Sequence, residues 1–196
     1  MSDPALRVIT FDIETKGAFT RGMPDTSELS ITVVGVHDSF SNSYTAYTVE
    51  ELPLLWPVLE QADLLVGYNS NTFDIPILNK YYPSDLTVIP SLDLLAEIYL
   101  ALGRRLRLDS VAQATLKRGK SGEGKLAGEW WDQGEYEKVK QYCLDDVRLT
   151  RELFDFALKE GKLRYKDLGA IKDIKLDTSH WLTKKDRVST TQILPL

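Results

Sequence analysis

The alternation of hydrophobic and polar positions predicts short strands early in the chain and longer helices later. Apolar runs of strand length, rich in β-branched and aromatic residues, lie at 7–13, 31–38, 43–49, 63–69 and 86–90. Apolar residues recur at helical spacing in 50–62, 91–103, 108–116 and 135–161. An antiparallel meander followed by strand–helix units is typical of one sheet with helices on its faces. The pattern therefore predicts an α/β fold built on a mixed five-stranded sheet.

Polar residues and glycines beside these runs predict where several helices begin and end. Thr72 is a candidate cap for a short helix that starts directly after it, with Pro76 in the first turn. Ser91 is the candidate cap of a helix that ends at Gly103. The glycine-rich stretch 117–131 has no periodic pattern, so it predicts a loop.

The length of 196 residues suits a single domain. The long helix is expected to end at Gly161, and the alternating residues after it predict a small hairpin and a loosely held C-terminus. We expect residues 1–160 to form the main domain. Residues 161–196 are expected to be either part of that domain or an appendage.

Composition indicates an ordinary globular protein, with 43% hydrophobic and 27% charged residues. The apolar runs are all shorter than the ~20 residues that cross a bilayer, so no membrane association is expected. The start "MSDPALR" lacks the features of a signal peptide. Cys143 is the single cysteine and cannot form an intrachain disulfide. These features predict a cytoplasmic protein in a reducing compartment.

The net charge of −5 argues against nonspecific coating of nucleic acid, but the charge is unevenly distributed. Residues 103–120 contain one acid, Asp109, and six basic residues, namely Arg104, Arg105, Arg107, Lys117, Arg118 and Lys120. This segment carries a local charge of +5, and the rest of the chain about −10. It is either a solvated face or a track for a phosphate backbone.

Candidate chemistry begins in the first strand, "VITFDIETKG", which contains Asp12 and Glu14. Residues two apart on a strand point to the same face, so both carboxylates are expected to converge near the carboxyl end of this strand. Ligands usually bind at that end in open α/β sheets. A buried carboxylate is costly unless it is paired or binds a metal.

A third acid, Asp74, follows the fourth predicted strand in "GYNSNTFDIP". It falls in the first turn of a helix, where the helix dipole favours a negative charge. That dipole is by itself a sufficient structural reason for an acid at this position.

A fourth acid lies in "YCLDDVRLT" on the long helix. At about 100° per residue, a mainly apolar stripe comprises Val139, Tyr142, Cys143, Asp146, Thr150, Leu153 and Ala157. Asp146 lies at the centre of this stripe and is expected to face the interior. Asp145 lies toward the polar side, where an ion pair with a neighbouring basic residue accounts for it.

Four acids directed at one interior would repel one another, at about 4 kcal/mol for a pair ~4 Å apart in an effective dielectric of 20. Divalent cations relieve this repulsion, and an all-oxygen ligand set favours Mg²⁺ or Mn²⁺ over zinc. Two such ions ~3.5–4 Å apart are the usual means of cleaving a phosphodiester.

In order and spacing, "FDIET", "NSNTFDIP" and "YCLDDV" resemble the three motifs of the DnaQ-like, or DEDD, 3′–5′ exonucleases. Tyr142, four residues before Asp146, matches the DEDDy form, whereas the DEDDh form has histidine at the position of Gln141. The resemblance covers roughly residues 7–158. It is to the proofreading domains of family B and family A DNA polymerases and to RNase D-type enzymes, and "LDSVAQATL…K" adds a family B-like feature.

The resemblance implies an RNase H-like fold and two bound Mg²⁺ or Mn²⁺ ions. Asp12 would bridge both metals, Glu14 and Asp146 would hold the ion that activates water, and Asp74 would help to hold the other. Tyr142 would orient the attacking water, since a tyrosine with a pKa near 10 is a poor base at neutral pH.

The resemblance also suggests that Thr15 contacts the terminal hydroxyl and that Asn69 and Phe73 contact the 3′-terminal nucleotide. Structural alternatives stay open for these positions. Asn69 can be a turn former and Phe73 a core residue. Tyr142 can also be a plain core aromatic.

The leading functional hypothesis is a 3′–5′ exonuclease that hydrolyses single-stranded DNA and releases nucleoside monophosphates. Alternatives are an exoribonuclease of RNase D type, a non-catalytic nucleic-acid-binding domain and a glycosidase with two carboxylates. Retention of all four acids and the tyrosine argues against the non-catalytic domain and favours metals over a glycosidase. The sequence does not identify a polymerase or helicase partner.

Overall fold

The structure is a computed structural model that describes residues 6–17, 19–20, 23–24, 28–119 and 125–183. The strands are β1 (Val8–Lys16), β2 (Phe19–Thr20), β3 (Met23–Pro24), β4 (Ser30–Asp38), β5 (Ser43–Thr48), β6 (Leu64–Gly67), β7 (Ser91–Asp93), β8 (Lys162–Asp167) and β9 (Ala170–Lys175). The α-helices are α1 (Leu52–Glu60), α2 (Asp74–Leu78), α3 (Leu94–Leu102), α4 (Leu108–Leu116), α5 (Lys125–Asp132) and α6 (Tyr136–Glu160).

Five strands form one mixed sheet in the order β5-β4-β1-β6-β7. Strand β4 pairs antiparallel with both β1 and β5, whereas β6 pairs parallel with β1 and with β7. The predicted mixed five-stranded sheet flanked by helices is confirmed. The carboxyl ends of β1, β6 and β7 therefore lie at the same edge of the sheet.

Successive residues of β1 alternate between the two faces of the sheet, and each face has its own core. Val8 packs in a cluster with residues of α4, α6 and the β8–β9 hairpin. Ile9, Phe11 and Ile13 pack in a second cluster with residues of α1 and α2. The even-numbered side chains of β1 thus face α6. Among the described residues, no helix combines the length and the apolar character needed to span a membrane.

The fifth strand lies later in the chain than predicted. Residues 86–90 do not form a strand, because Leu86–Val88 is a 3₁₀ turn that the Asp85 side chain caps by accepting from the backbone N–H of Thr87. The edge strand is instead β7, which contains the predicted cap Ser91. Asp93 caps α3 in its place, since its Oδ1 accepts from the backbone N–H groups of the second and third helical residues.

Two further local predictions are wrong. Thr72 does not cap α2, because its hydroxyl donates to Asn69 Oδ1 at 2.9 Å. Helix α5 occupies the second part of the predicted loop 117–131, from Lys125 onward, and its buried Ala127 packs in a small cluster with residues of β4 and α6. Residues 120–124 of that predicted loop lie outside the described part of the chain.

The predicted hairpin is confirmed as β8 and β9, which pair antiparallel. Leu163 and Ile174 are buried in the same cluster as α4 and α6. The chain after the hairpin is held more firmly than predicted, because Trp181 is buried and stacks on Phe154 with ring centroids 5.7 Å apart. Residues 184–196, the rest of the predicted loose C-terminus, lie outside the described residues.

Helix α6 crosses the sheet in close contact with β4 at Gly35. A Cβ atom at Gly35 would lie 2.9 Å from Cys143 Sγ and 3.0 Å from Val147 Cγ2. Both atoms belong to buried side chains, so neither has room to give way. The glycine at this position therefore allows α6 to approach the sheet closely.

We expect Gly35→Ala to lower the free energy of unfolding by about 1–3 kcal/mol, the usual cost of overpacking a core. Gly128→Ala in α5 is the matched control, since its Cβ would meet only the Thr15 carbonyl oxygen at 3.8 Å. That change is expected to stabilise by up to about 1 kcal/mol, because alanine is the better helix former. Urea denaturation measures both values. Equal effects of the two substitutions would contradict the close approach of α6.

Candidate active site

The site begins with Asp12 and Glu14 on β1, whose side chains share the sheet face that α6 covers. Asp12 pairs across the sheet with Gly35 and Glu14 with Val33. Glu14 is buried and Asp12 is half-buried. A ligand atom of each carboxylate lies within 4.8 Å of the other. The predicted convergence of the two acids is thus observed.

The thiol of Cys143 completes a group of three ligand atoms within 4.8 Å of one another. Its Sγ donates to the Asp12 carbonyl oxygen at 3.4 Å and approaches Asp12 Oδ2 at 3.8 Å. Burial raises the pKa of this thiol well above its ordinary value, and the charges of Asp12, Glu14 and Asp146 raise it further. Cys143 is therefore a neutral donor beside the acids.

Helix α6 supplies the fourth acid in the predicted register. Asp146 is 3% exposed and faces the sheet. Asp145 points away, where it accepts from Arg148 at 2.8 Å and from Gln141 at 2.7 Å. Tyr142 is buried one turn before Asp146, with the ring of Trp130 edge-on at 5.8 Å between centroids.

Asp74 begins α2 and points back toward β1. Its Oδ1 accepts from the backbone N–H of Ile13 at 3.2 Å, and the side chain is buried. The pKa of Asp74 is raised to about 7. Burial is the largest cause, the charges of Asp93 and Asp146 add to it, and hydrogen bonds from the backbone oppose it. Asp74 is thus within electrostatic range of Asp146.

The raised pKa of Asp74 predicts how stability depends on pH without metal. Between about pH 4 and pH 7 the folded state keeps a proton on Asp74 that the unfolded chain has lost, so stability falls as pH rises through that range. The total loss is on the order of 4 kcal/mol. Asp74→Asn keeps an oxygen for the Ile13 N–H and is expected to remove this loss.

Urea denaturation in EDTA at pH 5 and pH 8 measures the effect. The wild type is expected to lose more stability between the two values than Asp74→Asn does. Parallel changes in the two proteins would show that Asp74 titrates as an ordinary surface acid.

The loop after β6 places Asn69 at the edge of the site. Asn69 adopts a left-handed backbone conformation with φ of 67°, and its N–H donates to Asp93 Oδ1 at 2.7 Å. Its side-chain oxygen accepts from Thr72 at 2.9 Å and from Arg105. Because two donors hold this oxygen, the NH₂ group of Asn69 is the part of the amide that is turned toward other acceptors.

Thr15 and Phe73 each lie next to one of the acids in sequence, Thr15 directly after Glu14 and Phe73 directly before Asp74. Thr15 is half-buried and follows a register shift between itself and Glu14 in the pairing of β1 with β4. Phe73 immediately precedes α2 and packs partly buried against the core under α1 and α2. Both positions have a structural role, and contact of either with a substrate stays a prediction.

Sequence reasoning missed two residues that shape the site, Asp93 and Cys143, and it named Arg105 only as one of six basic residues in its segment. Asp93 binds the N–H groups of Asn69 and Asn71 while it caps α3. An acid inside the apolar stretch "SLDLL" was the available signal. Cys143 shares the apolar stripe of α6 with Asp146, but an apolar stripe alone does not distinguish it from a core residue.

The donors fit a hard divalent cation. Asp12, Glu14, Asp74 and Asp146 offer carboxylate oxygens, three of them buried, and each such oxygen suits Mg²⁺ or Mn²⁺. Burial is the main cause of the raised pKa of Asp74, and the charge of Asp146 adds to it. The Cys143 thiol resists ionisation, so the set has the character of an oxygen site.

Comparisons with known proteins identify the superfamily and the fold. The model of the RNase_H superfamily matches residues 9–158. The family B DNA polymerase from the hyperthermophilic archaeon Pyrobaculum calidifontis superposes with a TM-score of 0.61 at 24% identity, over 79% of this chain and 25% of the polymerase chain. This likeness shows a shared fold, and the chain spans about a quarter of the polymerase's length. No curated protein matches the sequence significantly.

The RNase H-like fold class that the sequence predicts is confirmed by both the sheet topology and the family match. The match includes β1, β6 and α6, which carry or adjoin all four acids. It extends over most of the chain, and therefore the chain belongs to the RNase_H superfamily.

Proposed function

We propose that this protein is a metal-dependent 3′–5′ exonuclease that hydrolyses terminal phosphodiesters of single-stranded DNA and releases nucleoside 5′-monophosphates. The observation that carries the proposal is the position of four acids on β1, α2 and α6. Asp12 and Glu14 have oxygens within 4.8 Å of each other. Asp74 accepts from the backbone N–H of Ile13 between them, and Asp146 is buried on α6 one turn after Cys143, whose thiol contacts Asp12. Membership of the RNase_H superfamily supports a nuclease-type activity in general. Polarity, substrate and product are part of the proposal.

Asp12, Glu14, Asp74 and Asp146 would hold two divalent ions, Mg²⁺ or Mn²⁺. When bound, such ions supply positive charge that offsets the charge developing on a phosphate and lower the pKa of water. The carboxylates would bring this charge to the carboxyl edge of the sheet. The thiol of Cys143 helps to orient Asp12 through its contacts with the carbonyl and carboxylate oxygens.

The remaining residues would position the reactants. The hydroxyl of Tyr142 would orient the attacking water, while the ring is held in place by Trp130. The amide of Asn69, the hydroxyl of Thr15 and the ring of Phe73 would contact the 3′-terminal nucleotide. In the reaction, a bond forms between the water oxygen and phosphorus, the bond to the 3′ oxygen breaks, and that oxygen takes up a proton.

Tyr142→Phe is expected to lower kcat roughly 10- to 100-fold, because misplacing a reactant costs about that much. Affinity for DNA is expected to stay within about twofold, since the ring and its packing on Trp130 are retained. Single-turnover kinetics and equilibrium binding measure the two quantities separately. A matched loss in affinity would instead identify Tyr142 as a substrate-binding residue.

DNA is favoured over RNA on two grounds. The "LDSVAQATL…K" stretch resembles the region before the third motif in family B-like exonucleases, and the structural neighbour is named as a DNA polymerase. Contacts with a 2′-hydroxyl decide between the two polymers, so an exoribonuclease is the alternative outcome of the same experiment.

A cytoplasmic location also stays a prediction, supported by the single buried cysteine.

The test is incubation with 5′-labelled DNA and RNA of equal sequence, in Mg²⁺, Mn²⁺ or EDTA. A metal-dependent ladder that shortens from the 3′ end is expected with linear DNA, and none with Asp146→Asn. A strand with a 3′-phosphate and a circular single strand are expected to resist. Efficient cleavage of the circle would identify an endonuclease, and a ladder with RNA alone would identify the exoribonuclease.

A further inference from the structure

We infer that a basic path defined by Arg105, Arg107 and Lys166 binds the single strand that leads into the carboxylate site. The inference rests on the proposed function and adds residues outside the three motifs to it. The occupant is a single-stranded nucleic acid, with the backbone phosphates along the basic residues.

The path starts at a cavity of about 360 Å³ lined by residues that include Tyr68, Asn69, Arg105, Arg107 and Asp109. Asn69 connects this cavity to the candidate active site. The Tyr68 hydroxyl donates to the carbonyl oxygen of Leu106 at 2.9 Å and so fastens the basic segment to the end of β6. Arg105 and Arg107 therefore extend from a segment that this hydrogen bond fixes next to the end of β6.

Arg105 differs from the neighbouring basic residues in its partner. Arg104 pairs with Asp167 at 3.3 Å, and Arg118 pairs with Glu152 at 2.6 Å. Arg105 donates to the neutral amide of Asn69, so this contact leaves its positive charge uncancelled. An exposed guanidinium in that situation is suited to a phosphate, which it binds with its two-pronged donor face.

A second cavity, of about 520 Å³, continues the path along α4 to the hairpin. It is lined by Asp109, Ser110, Gln113, Lys166 and Ile171 among others. Both cavities are lined by Asp109, which makes them neighbours. Lys166 offers a second phosphate contact, and the exposed Ile171 offers apolar surface to a base.

Charge complementarity favours nucleic acid as the occupant. The chain as a whole carries −5, yet residues 103–120 carry +5, and Arg105 of this segment contacts Asn69 at the edge of a site for which a phosphodiester is the proposed substrate. Single-strand-binding grooves combine such positive charge with surfaces on which bases rest, over ~4–16 nucleotides. Asp109 is the acid on the path and can accept a hydrogen bond from a base amino group.

The test uses the full chain in EDTA, with fluorescence anisotropy of 5′-fluorescein oligothymidylates of four and twelve nucleotides. Arg105→Ala is expected to weaken binding of both lengths about 5- to 10-fold. Lys166→Ala is expected to weaken only the longer one, because Lys166 lies at the far end of the path. For each lost phosphate contact, the slope of log K against log salt falls by about 0.7.

Arg104→Ala and Arg118→Ala are the matched controls, since each removes the same charge from the same segment but from an ion pair. Both are expected to bind within about twofold of wild type. Arg105→Lys keeps the charge and is expected to restore the salt slope. This result would show that Arg105→Ala binds weakly because it lacks the charge and not because it is misfolded. Thermal melts check that all variants are folded.

Equal losses of affinity in Arg104→Ala and Arg105→Ala would contradict the proposed path. Unchanged affinity of Lys166→Ala for the longer strand would also contradict it. If wild type shortens DNA but the Arg105 and Lys166 variants bind normally, the path alone is wrong. If wild type neither binds nor shortens any oligonucleotide, the proposed function itself is wrong.

Discussion

Asp146→Asn is expected to lower turnover by at least about a hundredfold, whereas Asp145→Asn is expected to leave it within about twofold of wild type. The two aspartates are adjacent in sequence but separated by about 100° around α6. Asp146 is buried against the sheet, and Asp145 pairs with Arg148. Residues that only support a metal ligand already cost 10- to 100-fold when changed, so a ligand itself should cost at least as much.

The measurement is the initial rate on linear single-stranded DNA at saturating Mg²⁺ and again at saturating Mn²⁺. The same charge is removed from the same helix in both variants, so a general electrostatic effect would lower both rates alike. An inactive Asp145→Asn with an active Asp146→Asn would mean that the inward face of α6 is not the catalytic one.

Asp12→Asn is expected to abolish catalysis and yet raise the melting temperature in EDTA. The carboxylates of Asp12 and Glu14 offer oxygens within 4.8 Å of each other, where two negative charges repel by about 3 kcal/mol at an effective dielectric of 20. Removing one charge should recover about 1 kcal/mol or more, since the acids are partly protonated without metal.

Adding metal is expected to reverse the order of stability of the wild type and Asp12→Asn. Mg²⁺ or Mn²⁺ binds the folded state and should stabilise the wild type by mass action, and it should stabilise Asp12→Asn far less. Four thermal melts at one ionic strength, two proteins with and without metal, measure both effects. A variant that is less stable in EDTA, with equal shifts on adding metal, would show that Asp12 is a structural acid held by hydrogen bonds.

The sequence predicted elements whose pattern is long enough to be periodic. Strands β1, β4 and β5 are runs of six to nine residues, and the 25-residue α6 buries one regular face, so their positions and the inward direction of Asp146 followed from the sequence pattern. The same spacing placed Asp12 and Glu14 on one face. The three motifs, in their order, resemble those of the DnaQ-like exonucleases. The fold that this resemblance implies places their acids close together.

Short elements and long-range contacts could not be predicted in the same way. The strand β7 has three residues, too few for a period, and whether Ser91 or Asp93 caps α3 depends on pairing with β6. Helix α5 is stabilised by burial of Ala127 against distant parts of the chain. The contact of Arg105 with Asn69 joins residues 36 apart, and no local pattern contains it.

The stacking of Trp181 on Phe154 has a consequence for where the chain can be cut. The superfamily match ends at residue 158, but residues of the β8–β9 hairpin and Trp181 belong to the same core cluster as buried residues of α4 and α6. A fragment trimmed to the matched region would lose the ring that stacks on Phe154 and would expose apolar core surface to water. We therefore expect a stable fragment to extend past the matched region, through the hairpin and Trp181.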